Sequence, residues 1–205
     1  MADPAIMKIL ITDTSSLITL AVADSLDYLA LLGIPIFLPD AVFFEATFDL
    51  EKMGASDIVA WVQQNLGLVQ IIPTDTFIDE MHRRERGERR RSGLGETAAL
   101  EIANDTKLIG DSGQAFILTE DDAVLEGGFV GSSDKRQIFV ISTHDFLEAL
   151  EAEQLINSAD AVYAMAEDAG RLASKRKTER DNTLATYSAI QALIQTQDAK
   201  RKAKP

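Results

Sequence analysis

Carboxylates are the residues of this chain whose positions suit catalysis. An apolar run at residues 9–11 leads through Thr12 to Asp13, and a second run at residues 115–118 leads through Thr119 to further acids. Two glutamates lie in segments with a helical pattern, one among apolar neighbours and one directly after a glycine. Oxygen donors without a Lys or His partner nearby suit hard cations such as Mg²⁺ or Mn²⁺. The candidate ligands are Asp13, Glu45, Glu96, Asp121 and Asp122.

A bound divalent ion explains why such acids would be brought together. Clustered carboxylates raise one another's pKa, so the cluster is unstable without a cation. The ion can clamp a phosphodiester and generate hydroxide from water at neutral pH. Each acid also has a plainer interpretation: Asp13 as a helix cap, Glu45 as a surface residue and Glu96 as a partner of the helix dipole. The pattern of strand, acid and helix occurs twice, which favours the metal interpretation.

Strands and helices alternate along the chain and must position these acids. Apolar and β-branched runs predict strands at residues 9–11, 36–38, 68–72, 115–119 and 138–141, with helices between them. Residues 104–114 predict a loop or an irregular hairpin, and residues 159–172 a helix. In open α/β sheets, ligands bind outside the carboxyl ends of the strands. Asp13 and Asp121 both follow such an end.

An arginine-dense segment follows the third predicted strand. Residues 83–91 contain six arginines and only two glutamates, although the chain as a whole is acidic. The segment is either a solvated helix face or a patch that contacts phosphates. The RNA-binding candidates are Arg83, Arg84, Arg86, Arg89, Arg90 and Arg91.

Composition excludes several kinds of site. The chain has no cysteine, so neither a disulfide framework nor a thiolate zinc site is possible. Its two histidines, His82 and His144, lie far apart in sequence and cannot form a histidine-rich metal site alone. Lys8 interrupts the only early apolar run, and no segment approaches the roughly 20 apolar residues of a membrane span. We therefore expect a soluble, cytoplasmic protein that does not contact membranes.

The C-terminal segment differs in charge from the rest of the chain. Residues 171–205 carry nine basic and three acidic residues, a net charge of +6, which leaves −19 on residues 1–170. This asymmetry predicts an arm that binds polyanions or contacts the acidic body, and a solvated terminal helix is the alternative. The tail predicts one helix whose apolar stripe is Leu184, Tyr187, Ile190, Leu193 and Ile194.

Four motifs, taken in order, resemble those of PIN-domain proteins. Residues 11–18 resemble the family's opening strand and first acid, and residues 38–45 its strand, proline and helix with the second acid. Residues 95–100 are similar to its Gly-Glu-x-x-Ala block, and residues 118–123 to its strand that ends in an aspartate. The resemblance implies an α/β fold for residues 1–172, a Rossmann-like three-layer α/β/α sandwich with a central parallel sheet. Residues 173–205 would form a basic, helical C-terminal extension.

The same resemblance implies an activity. PIN-domain proteins of this kind are Mg²⁺- or Mn²⁺-dependent endoribonucleases, most often the toxin of a bacterial toxin–antitoxin pair of the VapBC type. The expected partners are RNA, a protein antitoxin and a second copy of the chain in a homodimer. The catalytic positions fall on Asp13, Glu45, Glu96 and Asp121, and the metal positions on Asp13, Glu96, Asp121 and Asp122. Thr14, Ser15 and Thr119 take supporting positions.

The chain departs from the family pattern in two places. The segment before Phe116 is longer than usual, and residues 173–205 extend past the family's usual end. Antitoxins of this family often send basic residues into the acidic site. We therefore expect the basic tail either to fold over the site as an inhibitor or to extend RNA binding.

Two other functions stay open from the sequence. One is a catalytically silent PIN-like module that binds RNA or a protein partner. The other is a Mg²⁺ phosphohydrolase such as a phosphatase. Its commonest version needs a second aspartate two residues after the first, where this chain has Ser15.

Overall fold

The computed structural model describes residues 7–127, 137–175 and 187–196. Within these ranges five strands form one sheet in the order β3-β2-β1-β4-β5, and every neighbouring pair is parallel. The strands are β1 (Lys8–Thr12), β2 (Ile36–Pro39), β3 (Val69–Ile72), β4 (Gln114–Thr119) and β5 (Gln137–Ser142). Each predicted strand is confirmed to within a residue or two, and the predicted Rossmann-like parallel sheet is confirmed with them.

Helices connect the strands and cover the sheet. They are α1 (Thr14–Val22), α2 (Asp40–Thr47), α3 (Ala55–Gln64), α4 (Asp75–Glu85), α5 (Leu94–Asn104), α6 (Thr106–Ile109), α7 (Asp122–Gly127), α8 (Thr143–Ala152) and α9 (Ala159–Asp168), with a 3₁₀ helix at Leu26–Leu32. Successive residues of β1 pack into two different cores, Leu10 into one and Ile9 and Ile11 into the other. The sheet is therefore buried on both faces, which explains why its strands are continuous apolar runs.

Two predicted segments differ from the structure. The predicted loop at residues 104–114 contains the short helix α6. The helix predicted for residues 159–172 ends at Asp168, because Gly170 adopts a left-handed backbone with φ of 88° just past its end.

Of the C-terminal extension the structure describes residues 173–175, which are not helical, and residues 187–196, which are helical. Ile190, Leu193 and Ile194 are buried in the same core as α8 and α9, and Gln191 donates a hydrogen bond of 3.0 Å to Glu153. The apolar stripe predicted for this helix thus packs on the domain, although its first member, Leu184, lies outside the described residues. The division of the chain at residues 172 and 173 stays a prediction.

In the part of the chain that the structure describes, no single helix is long and apolar enough to cross a membrane. The helix α1 and the 3₁₀ helix meet that test only as a pair, with a bend of 114° between them. Their apolar residues, among them Leu17, Leu20, Leu29 and Leu32, are buried in the core.

Candidate active site

Asp13 lies at the carboxyl end of the central strand β1 and is 4% exposed. Its Oδ1 accepts a hydrogen bond of 2.7 Å from the amide of Ser16, so Asp13 caps α1. Its Oδ2 accepts bonds from the Thr119 hydroxyl at 2.6 Å and the Glu120 amide at 3.1 Å, at the end of β4. The cap interpretation is thus correct for one oxygen, while the other joins two strand ends. Burial raises the pKa of the Asp13 carboxyl despite these hydrogen bonds.

Glu45 reaches the same edge from α2. Its Oε2 accepts a hydrogen bond of 2.9 Å from the Thr14 hydroxyl, and its Oε1 is paired with Arg90. The helix α5 packs closely against α2 at Gly95. A Cβ atom added to Gly95 would lie 3.1 Å from the Val42 side chain and 3.7 Å from Glu45 Oε2. A glycine at the start of α5 therefore brings the next residue, Glu96, beside Glu45.

Glu96 lies close enough to the other acids for their charges to affect its pKa. It is half-buried in the first turn of α5, and its pKa is raised, first by burial and then by the charges of Asp121, Asp13 and Glu45. The structure thus brings together the four acids predicted as catalytic. They come from four places in the chain: the ends of β1 and β4 and the helices α2 and α5.

Asp121 and Asp122, which follow β4 after Glu120, differ in their surroundings. Asp121 donates its amide to the Thr119 hydroxyl at 3.0 Å, and its Oδ1 accepts from the Val124 amide at 3.1 Å. Asp122 lies in the first turn of α7 and is exposed. Asp121 is therefore fixed at the acidic edge, whereas Asp122 faces solvent.

These residues fit a hard divalent cation. Their side chains offer only carboxylate and hydroxyl oxygens, which are the donors that Mg²⁺ and Mn²⁺ prefer. Burial and then the like charges of Asp121, Asp13 and Glu45 raise the pKa of Glu96, and a cation would offset those charges. Asp13 already accepts hydrogen bonds from Ser16, Thr119 and Glu120, so a metal would share this carboxylate with those donors.

Glu120 and Arg171 also lie at this edge, and sequence reasoning did not single them out for the site. Arg171 Nη2 lies 3.5 Å from Glu120 Oε2 and donates a 3.2 Å bond to the carbonyl of Ser15, while its Nε donates to the Thr19 hydroxyl at 3.3 Å. Burial raises the pKa of Glu120, against the lowering effects of Thr19 and Arg171. Ser15 thus contributes its carbonyl to this contact. The charge asymmetry of the chain indicated a contact between the basic segment, residues 171–205, and the acidic body. Arg171, the first residue of that segment, makes such a contact with Glu120.

A second group of titratable residues lies on α8. Ligand atoms of His144, Asp145 and Glu148 lie within 4.8 Å of one another, so this cluster could hold a metal ion. His144 and Asp145 are buried, and the His144 ring packs 5.5 Å from that of Tyr163. Sequence reasoning considered histidines only as a pair and missed this mixed set, although the spacing His-Asp-x-x-Glu on one helix was available as a signal.

The predicted arginine patch is partly paired with acids. Arg83 and Arg86 both contact Glu88, at 3.2 Å and 2.7 Å, and Arg84 contacts Glu80 at 3.1 Å. Arg89 and Arg91 are exposed and border a groove of about 430 Å³ that ends at the predicted catalytic acids. The groove is lined by Glu45, Arg89, Arg90, Arg91, Ser92, Gly93, Leu94 and Glu96.

The resemblance to PIN-domain proteins rests on the four motifs, and the geometry above is compatible with it. No protein-family model, curated protein or solved structure matches the chain.

Proposed function

We propose that the chain is a Mg²⁺- or Mn²⁺-dependent endoribonuclease of the PIN type. The observation that carries the proposal is that Asp13, Glu45, Glu96 and Asp121 lie at one edge of the sheet. Their proximity is reflected in the pKa of Glu96, which is raised by burial and then by the charges of the other three acids. An arginine-lined groove ends at this edge, which suits a polyanionic substrate.

In this proposal Asp13, Glu96 and Asp121 hold the metal, and Asp122 is the outer member of the set. The bound ion supplies an activated water and neutralises charge on the phosphodiester. Thr119 orients Asp13 through its hydroxyl, and Thr14 does the same for Glu45. The exposed Arg89 and Arg91 contact phosphates that flank the cleaved bond.

The wider biological setting comes from the resemblance alone. It favours a toxin of a bacterial toxin–antitoxin pair that acts on RNA in the cytoplasm. A protein antitoxin and a homodimer are the partners that belong to this setting.

The direct test is cleavage of a labelled single-stranded RNA by the full chain with Mn²⁺, with Mg²⁺ and with EDTA. We expect cleavage with the ions only, and a loss of about 100-fold or more in Asp13→Asn and Asp121→Asn. The matched control is Asp160→Asn, since Asp160 is an exposed aspartate in the first turn of α9. Equal cleavage by the control and both site variants would reject the proposal.

One observation favours a second candidate, a catalytically silent module. Arg90 is paired with Glu45, so a cation of the chain already neutralises one of the four acids. A silent module would bind RNA with a strong salt dependence but would not cleave it with either ion. RNA binding without any metal-dependent cleavage would favour this candidate over the nuclease.

A further inference from the structure

An exposed aromatic ring lies beside the catalytic acids. Phe48 follows the last turn of α2 and is 56% exposed. Its ring stacks on that of Phe44 with centroids 5.7 Å apart and planes inclined by 21°. Phe44 is in turn held by Phe77, whose ring centroid lies at 5.3 Å. The exposed ring is therefore supported from below and forms a flat platform.

Cations surround this platform. The guanidinium of Arg84 lies 5.3 Å from the centroid of Phe44, and the ammonium of Lys52 lies 4.3 Å from that of Phe48. Arg84 is also fixed by Glu80 at 3.1 Å. Aromatic faces beside arginine and lysine are the usual composition of sites for unpaired nucleotides, where bases stack and cations meet phosphates.

The platform borders a groove of about 390 Å³, a volume within the range of small-ligand sites. The groove is lined by Phe44, Glu45, Phe48, Arg84, Gly87, Glu88 and Arg90. Its one further acid, Glu88, is paired with Arg83 at 3.2 Å and Arg86 at 2.7 Å. The lining therefore combines an apolar face with cations, which suits a base together with its phosphate.

This groove continues into the catalytic edge. Glu45 and Arg90 line both this groove and the one that contains Glu96. Phe44 and Phe48 are four residues apart on α2 and share a face, with Glu45 next to the first of them. A base stacked on Phe48 would hold its phosphate about one helical turn from Glu45.

We propose that Phe44 and Phe48 form a nucleobase site that seats one unpaired base of single-stranded RNA next to the cleaved phosphodiester. The base replaces the exposed Lys52 ammonium over Phe48, and Arg90 contacts the adjoining phosphate. This rests on the proposed nuclease function and narrows its substrate to single strands, because duplex bases are already stacked on one another.

The test measures binding without chemistry, using the full chain, EDTA, and a fluorescent single-stranded RNA with its duplex. Phe48→Leu keeps apolar bulk but removes the flat face, and should weaken single-strand binding about fivefold or more. Phe48→Tyr keeps the face and should bind like the parent chain. Neither change should alter duplex binding. The matched control is Leu66→Ala. Leu66 is an apolar residue that is 70% exposed, and it lies just before β3, near the amino end of that strand and not at the carboxyl ends where the acids lie.

A second probe identifies the base as the bound group. The parent chain should bind an RNA with abasic sugars as weakly as Phe48→Leu binds intact RNA. Unchanged single-strand binding in Phe48→Leu, or an equal loss on duplex, would overturn the site. So would a change in sedimentation with RNA binding unchanged, because the platform would then serve contact between two copies of the chain.

Failure of the nuclease and failure of the base site give different results. If the parent chain binds single strands through Phe48 but cleaves no RNA with Mn²⁺, the base site stands and the nuclease falls. If it cleaves RNA and Phe48→Leu binds and cleaves like the parent chain, the nuclease stands and the base site falls.

Discussion

The cluster on α8 could hold a metal and the acidic edge is the metal site that we propose, but the two are built in opposite ways. The edge gathers acids from four elements, and its hydrogen bond between Asp13 and Thr119 joins residues 106 apart in sequence. The α8 cluster lies within five consecutive positions of one helix, His144 to Glu148. Both regions mix buried and open members: Asp13 is 4% exposed while Glu45 and Glu96 line a groove bordered by arginines, and His144 and Asp145 are 8% and 4% exposed while the Glu148 side chain is 39% exposed.

The difference teaches that ligand geometry alone does not make a catalytic centre. The α8 cluster has the tighter ligand geometry, yet it is packed beneath other elements. The Tyr163 ring of α9 packs against the His144 ring at 5.5 Å, and the pKa of Tyr187 on the C-terminal helix is raised by burial and then by Glu148, Glu153 and Asp145. We expect an ion bound there to stabilise the fold, and catalysis to need the edge that a substrate can reach.

The largest expected effect comes from one matched pair of substitutions. Glu96→Gln should lower the rate of Mn²⁺-dependent RNA cleavage about 1000-fold, because it removes a charged ligand from the edge. Glu148→Gln makes the same chemical change in the α8 cluster and should alter the rate by less than about threefold, since substrate does not meet that cluster. The reverse result in single-turnover cleavage would move the catalytic centre to α8.

Removing the cover of the α8 cluster should affect stability and not chemistry. Leu193 is buried against the core, so Leu193→Ala should lower the free energy of unfolding by about 3 kcal/mol. The cleavage rate of the folded protein should stay unchanged, because the acidic edge is untouched. Urea unfolding and cleavage at low temperature test both statements, with the exposed Gln195→Ala on the same helix as control. A rate that falls together with stability would mean that the C-terminal helix supports the edge as well.

The pH dependence should test the acidic edge through the sign of the pKa shifts of its acids. The pKa values of Asp13 and Glu96 are raised, so their protonated forms stabilise the metal-free fold. Relative to Asp13→Asn or Glu96→Gln, the stability of the parent chain should be highest below the ordinary carboxyl pKa of about 4. This advantage should be lost as pH rises through the raised values.

Mn²⁺ should reverse that trend, because it binds the ionised acids. Its addition should raise the Tm of the parent chain by a few degrees more at pH 7 than at pH 5. Asp160→Asn should behave like the parent chain in both series. If the stability difference between the parent chain and the site variants were the same at every pH, the titration of Asp13 and Glu96 would be contradicted.

The smallest expected effect concerns Arg90, whose side chain is 55% exposed and paired with Glu45. Arg90→Gln should strengthen Mn²⁺ binding about two- to threefold at low salt, because it frees Glu45, while it weakens RNA binding. Calorimetry with Mn²⁺ and fluorescence titration with RNA measure the two effects. Arg86→Gln is the control, since Arg86 pairs with Glu88 instead. If Arg90→Gln strengthened both Mn²⁺ binding and RNA binding, or weakened both, Arg90 would not compete with the metal.

Most of the fold could be predicted from local sequence. Each strand is an apolar run with a polar boundary, and Asp13 and Asp121 follow the ends of β1 and β4 by one and two residues. Because parallel strands end at the same edge, two acids in such positions could be expected to lie near each other. The ends of helices were less certain, and α9 proved shorter than its apolar pattern predicted.

The contacts that sequence reasoning missed are of two kinds. Arg90 and Glu45 are 45 residues apart, and Arg171 and Ser15 are 156 apart, so only the packing of distant elements brings them together. The α8 cluster is different, because its spacing is local and visible. It was missed because His144 was considered only together with His82, and not together with Asp145 and Glu148.

The cap that Asp13 provides has a consequence for spectroscopy. Its carboxylate accepts hydrogen bonds from two backbone amides, those of Ser16 at 2.7 Å and Glu120 at 3.1 Å. Amide protons respond to the charge of the oxygen that they bond. The resonances of these two residues in a nitrogen-15 NMR spectrum should therefore report whether Asp13 carries a proton, a metal or neither, with no mutation, label on the RNA or turnover.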